Sequence, residues 1–146
     1  MLALFFSLGN ELYAIPARSV VEVVPRVALR ALPRSPSWFA GVLAYRGTVI
    51  QVVDLCARLL DVGCSSRLSS RIVVVERSAG GDHSRYGILT ERVTEVRKLS
   101  ASAGAAIRVD DAPYVSATVL EDGRLIQLLD LDAVLPAVHA RRAVEG

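Results

Sequence analysis

Gly47-Thr-Val-Ile-Gln-Val-Val-Asp-Leu-Cys-Ala-Arg-Leu-Leu60 and Gly123-Arg-Leu-Ile-Gln-Leu-Leu-Asp-Leu-Asp-Ala-Val-Leu-Pro136 are two versions of one segment. They lie 76 residues apart and agree at seven of fourteen positions. In each copy an apolar run ends at Asp-Leu, and aspartate is a preferred helix cap. Asp54 therefore predicts a short helix through Leu60, and Asp130 one ending at Pro136. The matched contexts make both carboxylates caps rather than a catalytic acid–base pair. Upstream, Trp38 falls opposite Tyr114, which favours packing over stacking on a ligand. A second pair is offset by 73 residues: Tyr13-Ala-Ile-Pro-Ala-Arg-Ser-Val-Val-Glu-Val23 matches Tyr86-Gly-Ile-Leu-Thr-Glu-Arg-Val-Thr-Glu-Val96 at Tyr, Ile, Val, Glu and Val. Two related half-domains of roughly 70 residues each follow from this self-similarity.

Outward from the repeat, short apolar runs separated by turns dominate. Leu2–Leu8 and Glu11–Ile15 flank Gly9-Asn10 and read as a hairpin. Arg71–Glu76 is rich in β-branched residues and reads as a buried strand, Ser78–Ser84 as a loop, and Arg85–Leu89 as the returning strand. Val115–Leu120 and Leu125–Leu129 flank a turn at Glu121–Arg124. Each half then holds a hairpin, a crossing segment, a second hairpin and a short helix. Strands this short, with turns every few residues, favour small barrels over an open sheet. Neither half has an ample core alone, so the two should pack together, with strands free to cross between them. The expected units are 1–68 and 69–137 within a single domain spanning 1–146, followed by a tail at 138–146. The loops Val62–Ser70 and Ser100–Pro113 are the natural joints.

Composition narrows the function. The 146 residues are 52% hydrophobic and 22% charged, which excludes a disordered chain. Seventeen Lys and Arg against fifteen Asp and Glu leave +2, too small an excess for a dedicated nucleic-acid binder. The longest apolar run, Trp38 to Tyr45, is far short of the ~20 residues of a membrane span, and Met1–Phe6 lacks the features of a signal peptide. Cys56 and Cys64 are too few for a disulfide framework and their spacing is no metal signature, so both read as reduced thiols of a cytoplasmic protein. Gly80-Gly81 lacks the spacing of a phosphate cradle. No catalytic triad, metal site or cofactor motif can be assembled, and the expectation is a protein without enzymatic activity.

Several blocks, in order, resemble the CheW family of coupling proteins in bacterial chemosensory arrays. They are Leu8-Gly-Asn-Glu-Leu-Tyr-Ala-Ile15, Val20-Val-Glu-Val-Val-Pro25, Leu32-Pro-Arg-Ser-Pro36, and Gly41-Val-Leu-Ala-Tyr-Arg-Gly47 running into Val49-Ile-Gln-Val-Val-Asp-Leu55. The resemblance extends from Phe5 to Pro136. Gln51 and Gln127 depart from the family's usual proline, and Leu99–Pro113 and the tail match poorly. The resemblance implies a mainly β fold of two intertwined five-stranded SH3-like β-barrels with short helices. It also implies a non-enzymatic adaptor linking the cytoplasmic tip of methyl-accepting chemoreceptors to the regulatory domain of a CheA-type histidine kinase. The implied place is the cytoplasm, at membrane-associated receptor arrays, with no direct membrane insertion and no nucleic acid. The same fold in a pilus, surface-sensing or biofilm pathway is the alternative, and a nucleic-acid- or small-ligand-binding barrel a more distant one.

Site residues follow from the resemblance and are weighed against plainer readings. Arg46 is the candidate for kinase or receptor coupling, because arginine offers bidentate carboxylate recognition. A tight turn would prefer the aspartate found at Asp122, so turn chemistry alone does not explain Arg46. An intramolecular ion pair is the competing role. Val20, Glu22, Gly41, Val93 and Val96 are the receptor-binding candidates. If Val20–Val24 is a regular strand, alternation places Val20, Glu22 and Val24 on one face. Gly41 either lets a receptor helix approach or marks a bulge. The plain reading of the valines is core, and of the glutamates solvent.

Overall fold

A computed structural model describes residues 1–77, 84–100, 107 and 112–136. In chain order the elements are β1 (Leu2–Leu8), β2 (Glu11–Pro16), a single 3-10 turn (Ala17–Ser19), β3 (Val20–Pro25), β4 (Phe39–Tyr45), β5 (Thr48–Asp54) and α1 (Leu55–Leu60). They continue with β6 (Arg71–Arg77), β7 (Ser84–Thr90), β8 (Arg92–Lys98), β9 (Val115–Glu121), β10 (Arg124–Leu129) and α2 (Leu131–Val134). Residues 78–83 of the loop expected at Ser78–Ser84, the tail at 138–146 and most of the Ser100–Pro113 joint lie outside the described residues, and Ser84 already belongs to β7. No helix among the described residues is long and apolar enough to cross a membrane.

The strands form two five-stranded sheets, ordered β8-β1-β2-β10-β9 and β3-β6-β7-β5-β4. This is the mainly β, SH3-like two-sheet architecture implied by the resemblance. Neither sheet is built from one half of the sequence. The first takes β1 and β2 from the N-terminal half and three strands from the other, and the second takes β6 and β7 from the C-terminal half and β3, β4 and β5 from the first. The exchange is closed by two parallel pairings, β10 on β2 and β5 on β7, in otherwise antiparallel sheets.

The repeat predicted from the sequence reappears as backbone geometry. Both capping aspartates hold extended backbone, Asp54 accepting from the Ala57 amide and Asp130 from the Asp132 amide. Their own amides donate to the matched aromatics, Asp54 to the Trp38 carbonyl and Asp130 to that of Tyr114. The Arg58 guanidinium lies 4.7 Å from the Trp38 ring and 5.2 Å from that of Tyr114, and its Nε donates to the Val134 carbonyl. Val134 is the position that matches Arg58 at the 76-residue offset, so one cation joins the two copies at their meeting point. Helix α2 is shorter than expected and stops at Val134.

The main core draws from both sheets. Leu4, Phe6, Leu8, Tyr13 and Ile15 from the first pack with Val52, Val53, Val73, Val75, Ile88 and Leu89 from the second. Each fully buried aliphatic side chain is worth about 1.5–3 kcal/mol, so separating the sheets would forfeit most of the hydrophobic driving force. Each sheet also curls around a small cluster of its own. Ala3, Phe5, Leu12, Ala14, Val119 and Ile126 fill the first, and Tyr45, Ile50 and Val74 the second.

Cys56 and Cys64 correct the reading of two free thiols: they form a disulfide with Cα atoms 4.9 Å apart. Spacing in sequence hid this. Cys56 sits in the first turn of α1, and Asp61 ends that helix in a left-handed conformation that folds the chain back. The Asp54 carboxylate, besides capping α1, accepts the Cys64 amide and fixes the return.

Candidate functional site

The β4–β5 turn places Arg46 and Gly47 at φ of 48° and 79°, and the matched turn holds Asp122 and Gly123 at 49° and 77°. Two successive positive φ values define the hairpin turn that favours Asn or Asp at its first position. Arginine there is conformationally disfavoured, and its side chain is tied to its neighbours. Its Nη2 lies 2.6 Å from Glu22 Oε1, and its guanidinium sits 5.1 Å from the Tyr45 ring centre. Tyr45 donates its hydroxyl to the same carboxylate oxygen at 2.8 Å. Burial, then this bond to Glu22, raises the Tyr45 pKa, so the phenol remains a donor. The intramolecular pair considered for Arg46 therefore exists, yet the Arg46 side chain remains 63% exposed. An exposed pair of this kind stabilises by no more than ~1 kcal/mol. It holds a cation in place while leaving it open to an external carboxylate.

Glu22 reaches this corner because β3 is bulged. The register with β6 shifts between Val20 and Glu22, which oppose Val75 and Val74 respectively. Those two partners face opposite sides of β6, so Val20 and Glu22 do as well, and the single-face arrangement expected from alternation does not hold. Val20 packs against the main core. The same shift recurs in β8, where Glu95 opposes Phe5 and Val93 opposes Phe6. Val93 is half-buried on the main core like Val20, and Val96 is 55% exposed on the same side of the sheet.

Gly41 is buried at a bulge of β4, with φ 143°, and a Cβ there would fall 2.8 Å from Leu29 Cβ and 2.9 Å from the Arg30 carbonyl oxygen. The close approach it permits is made by the chain's own 29–30 segment. Arg30 and Val42 bridge there, each amide donating to the other's carbonyl. Between this segment and β4 runs an apolar trough of about 540 Å³, lined by Leu29, Val42, Leu43 and the 70%-exposed Val49. The sequence reading passed over Val49, although alternation in Thr48-Val-Ile-Gln-Val52 places it opposite the buried Ile50 and Val52. A second, more polar cleft of about 340 Å³ lies where the sheets meet, lined in part by Arg18, Arg77, Ser116 and Asp132. None of the predicted contact residues lines it. The structure thus brings Glu22 and Arg46 together and sets Val20 and Val93 on one shared core. The potential ligand atoms of Asp54, Cys56 and Cys64 converge within 4.8 Å, but the disulfide leaves no thiolate for a metal.

Residues 2–139 match the CheW-like domain. The chain belongs to that family. It is 24% identical over 143 residues to the chemotaxis protein CheW of Thermotoga maritima, covering 97% of this chain and 91% of the relative. Chemotaxis protein CheW of Rhizobium meliloti is 24% identical over 142 residues, covering 94% and 89%. Among solved structures, the scaffolding protein TtCheW from Thermoanaerobacter tengcongensis superposes with a TM-score of 0.76 at 28% identity, over 88% of each chain. The CheW-like fold accounts for the two exchanged sheets, and the family is one of scaffolds.

Proposed function

We propose that this chain is a non-enzymatic cytoplasmic adaptor that couples the cytoplasmic tip of methyl-accepting chemoreceptors to the regulatory domain of a CheA-type histidine kinase. The observation that carries the reading is the CheW-like match over residues 2–139, joined to a fold shared with a solved scaffolding protein. The names of the relatives favour chemotaxis over a pilus or surface-sensing pathway. The contact residues are those the resemblance singles out. Arg46, held by Glu22, offers its guanidinium to a partner carboxylate, and Val96 presents an exposed apolar side chain on the same side of β8 as Val93. Gly41 acts indirectly, by seating the 29–30 segment that borders the trough. Each contact is modest, and holding both partners in one array supplies the avidity.

Calorimetric titration of the chain with the regulatory domain of the CheA-type kinase from the same genome tests this. Saturable one-to-one binding with a micromolar Kd is the expected result. Absence of heat and of co-elution at high protein concentration would remove the kinase from the reading. Val96→Glu should weaken receptor binding more than kinase binding, without the core damage that the same change at half-buried Val20 would cause.

A further inference from the structure

The Cys56–Cys64 bridge joins two cysteines only eight positions apart, so it constrains one loop rather than the fold. The loop buries little apolar surface of its own. Cys64 is the single buried residue between Asp61 and Leu68. Val62 and Leu68 are 67% and 98% exposed. The rest of its attachment is polar: the Cys64 amide on the Asp54 carboxylate, Arg26 Nη1 donating to the Ser65 carbonyl at 3.1 Å, and the buried Ser70 hydroxyl donating to the Ser65 carbonyl while accepting the Arg67 amide. Opening the bridge removes the loop's covalent tie to α1 and leaves these polar contacts alone to hold it. It also leaves an acceptor for the freed Cys64 thiol, whose sulfur lies 3.5 Å from the Leu89 carbonyl oxygen. In the cytoplasmic placement proposed above, on which this inference rests, a disulfide is characteristically transient and regulatory.

We propose that Cys56 and Cys64 form a peroxide-responsive thiol–disulfide pair that clasps the 61–70 loop against the segment following β3. In the forward step one thiolate attacks a peroxide oxygen, breaking the O–O bond to give a sulfenic acid and, after proton uptake, water. The second thiolate attacks that sulfenic sulfur, the S–S bond forms, and hydroxide leaves as water. Two thiols and one peroxide yield one disulfide and two waters, and a dithiol reductant reverses the change by exchange. The clasped loop forms, with Arg26, Val27 and Ala28, a cleft of about 530 Å³ lined by Ser66, Arg67 and Leu68. Oxidation steadies that loop and the cleft it lines, and reduction loosens both.

The full chain, reduced with dithiothreitol, exchanged into thiol-free buffer and titrated with hydrogen peroxide, tests the pair. Intact mass should fall by two hydrogen atoms, and iodoacetamide labelling after denaturation should drop from both cysteines to neither. Trypsin should cut after Arg67 about tenfold faster in the reduced protein, because cleavage follows local opening of the loop. Circular dichroism should show both states folded. Cys64→Ser should be cut at the reduced rate with or without peroxide. Equal cutting of the two states, oxidation to sulfinic acid without disulfide, or a zinc ion retained on the thiols of the purified reduced chain would each overturn the proposal.

Discussion

The two sheets are copies of one strand order, and the turn corners of the two copies differ in what they do with charge. In the second sheet, Tyr45 and Glu22 position Arg46, whose side chain is 63% exposed. At the matched corner of the first sheet, Glu121 stands in place of Tyr45 and is itself buried. It accepts from Arg97 and from the Ser100 amide, while Arg97 also pairs with Glu95 and covers the Phe5 ring at 4.1 Å. One backbone pattern thus carries an ion pair whose carboxylate is buried in one copy and whose arginine is exposed in the other. Burial sets what disturbing each pair costs: removing Arg97 strands the buried Glu121 carboxylate, whereas the exposed pair costs little to disturb.

The largest expected effect lies at the corner with the buried carboxylate. Arg97→Ala leaves the buried Glu121 carboxylate without its cation and should destabilise by about 2–3 kcal/mol, read as a lower urea midpoint. The bond from Arg97, then that from the Ser100 amide, lowers the Glu121 pKa from its ordinary 4.5. A lowered folded value means this stabilisation is complete above the unfolded value and is lost as pH falls through the folded one. The wild-type Tm should therefore decline on acidification below about 4.5. Glu121→Gln should flatten that decline, and an unchanged acid limb would show that the Glu121 carboxylate does not carry this stabilisation.

The next contrast is in packing. Tyr13 and Tyr86 match in the repeat, and their strand partners are Phe6 and Val75, so Ala3 matches Ile72 and Ala14 matches Gly87. The first sheet has two small residues where the second has isoleucine against glycine. A Cβ on Gly87 would lie 2.9 Å from a methyl of Ile72 and one of Val52. Gly87→Ala should cost about 1–3 kcal/mol by overpacking. With Ile72→Ala, which recreates the other sheet's pair, the combined loss should be smaller than the sum, by about 0.5 kcal/mol or more in a double-mutant cycle. Strict additivity would refute the equivalence of the two pairs.

The smallest change in stability belongs to the corner with the exposed arginine. Arg46→Asn places a residue suited to positive φ in the turn while removing the guanidinium, so stability should move by less than about 0.5 kcal/mol. Binding to the kinase or receptor should still fall about tenfold, or 1.4 kcal/mol. A large fall in Tm would make Arg46 a structural residue like Arg97.

Much of this comparison was legible in the residues. The paired Asp-Leu motifs located both helices, Gly9-Asn10 the first hairpin, and the matched Trp38 and Tyr114 the junction where Arg58 now sits. These are local or repeated signals, and local backbone chemistry reads the same way in any context. The candidate site was less legible. Arg46 stood out as the wrong residue for its turn, but its pairing with Glu22 depended on a β3 bulge that sequence alternation cannot foresee.

By itself, the sequence determined the strands, the caps, the duplicated halves and the family to which they belong. Tertiary structure alone decided which half supplies which strand to each sheet, because parallel pairing of β2 with β10 and β5 with β7 joins residues far apart in the chain. It likewise decided that Cys56 and Cys64 meet, that Gly41 is covered by its own chain, and that one corner buries its carboxylate while the other exposes its arginine. Each depends on which surfaces come into contact once the two halves share a core, and no local preference of a residue encodes that.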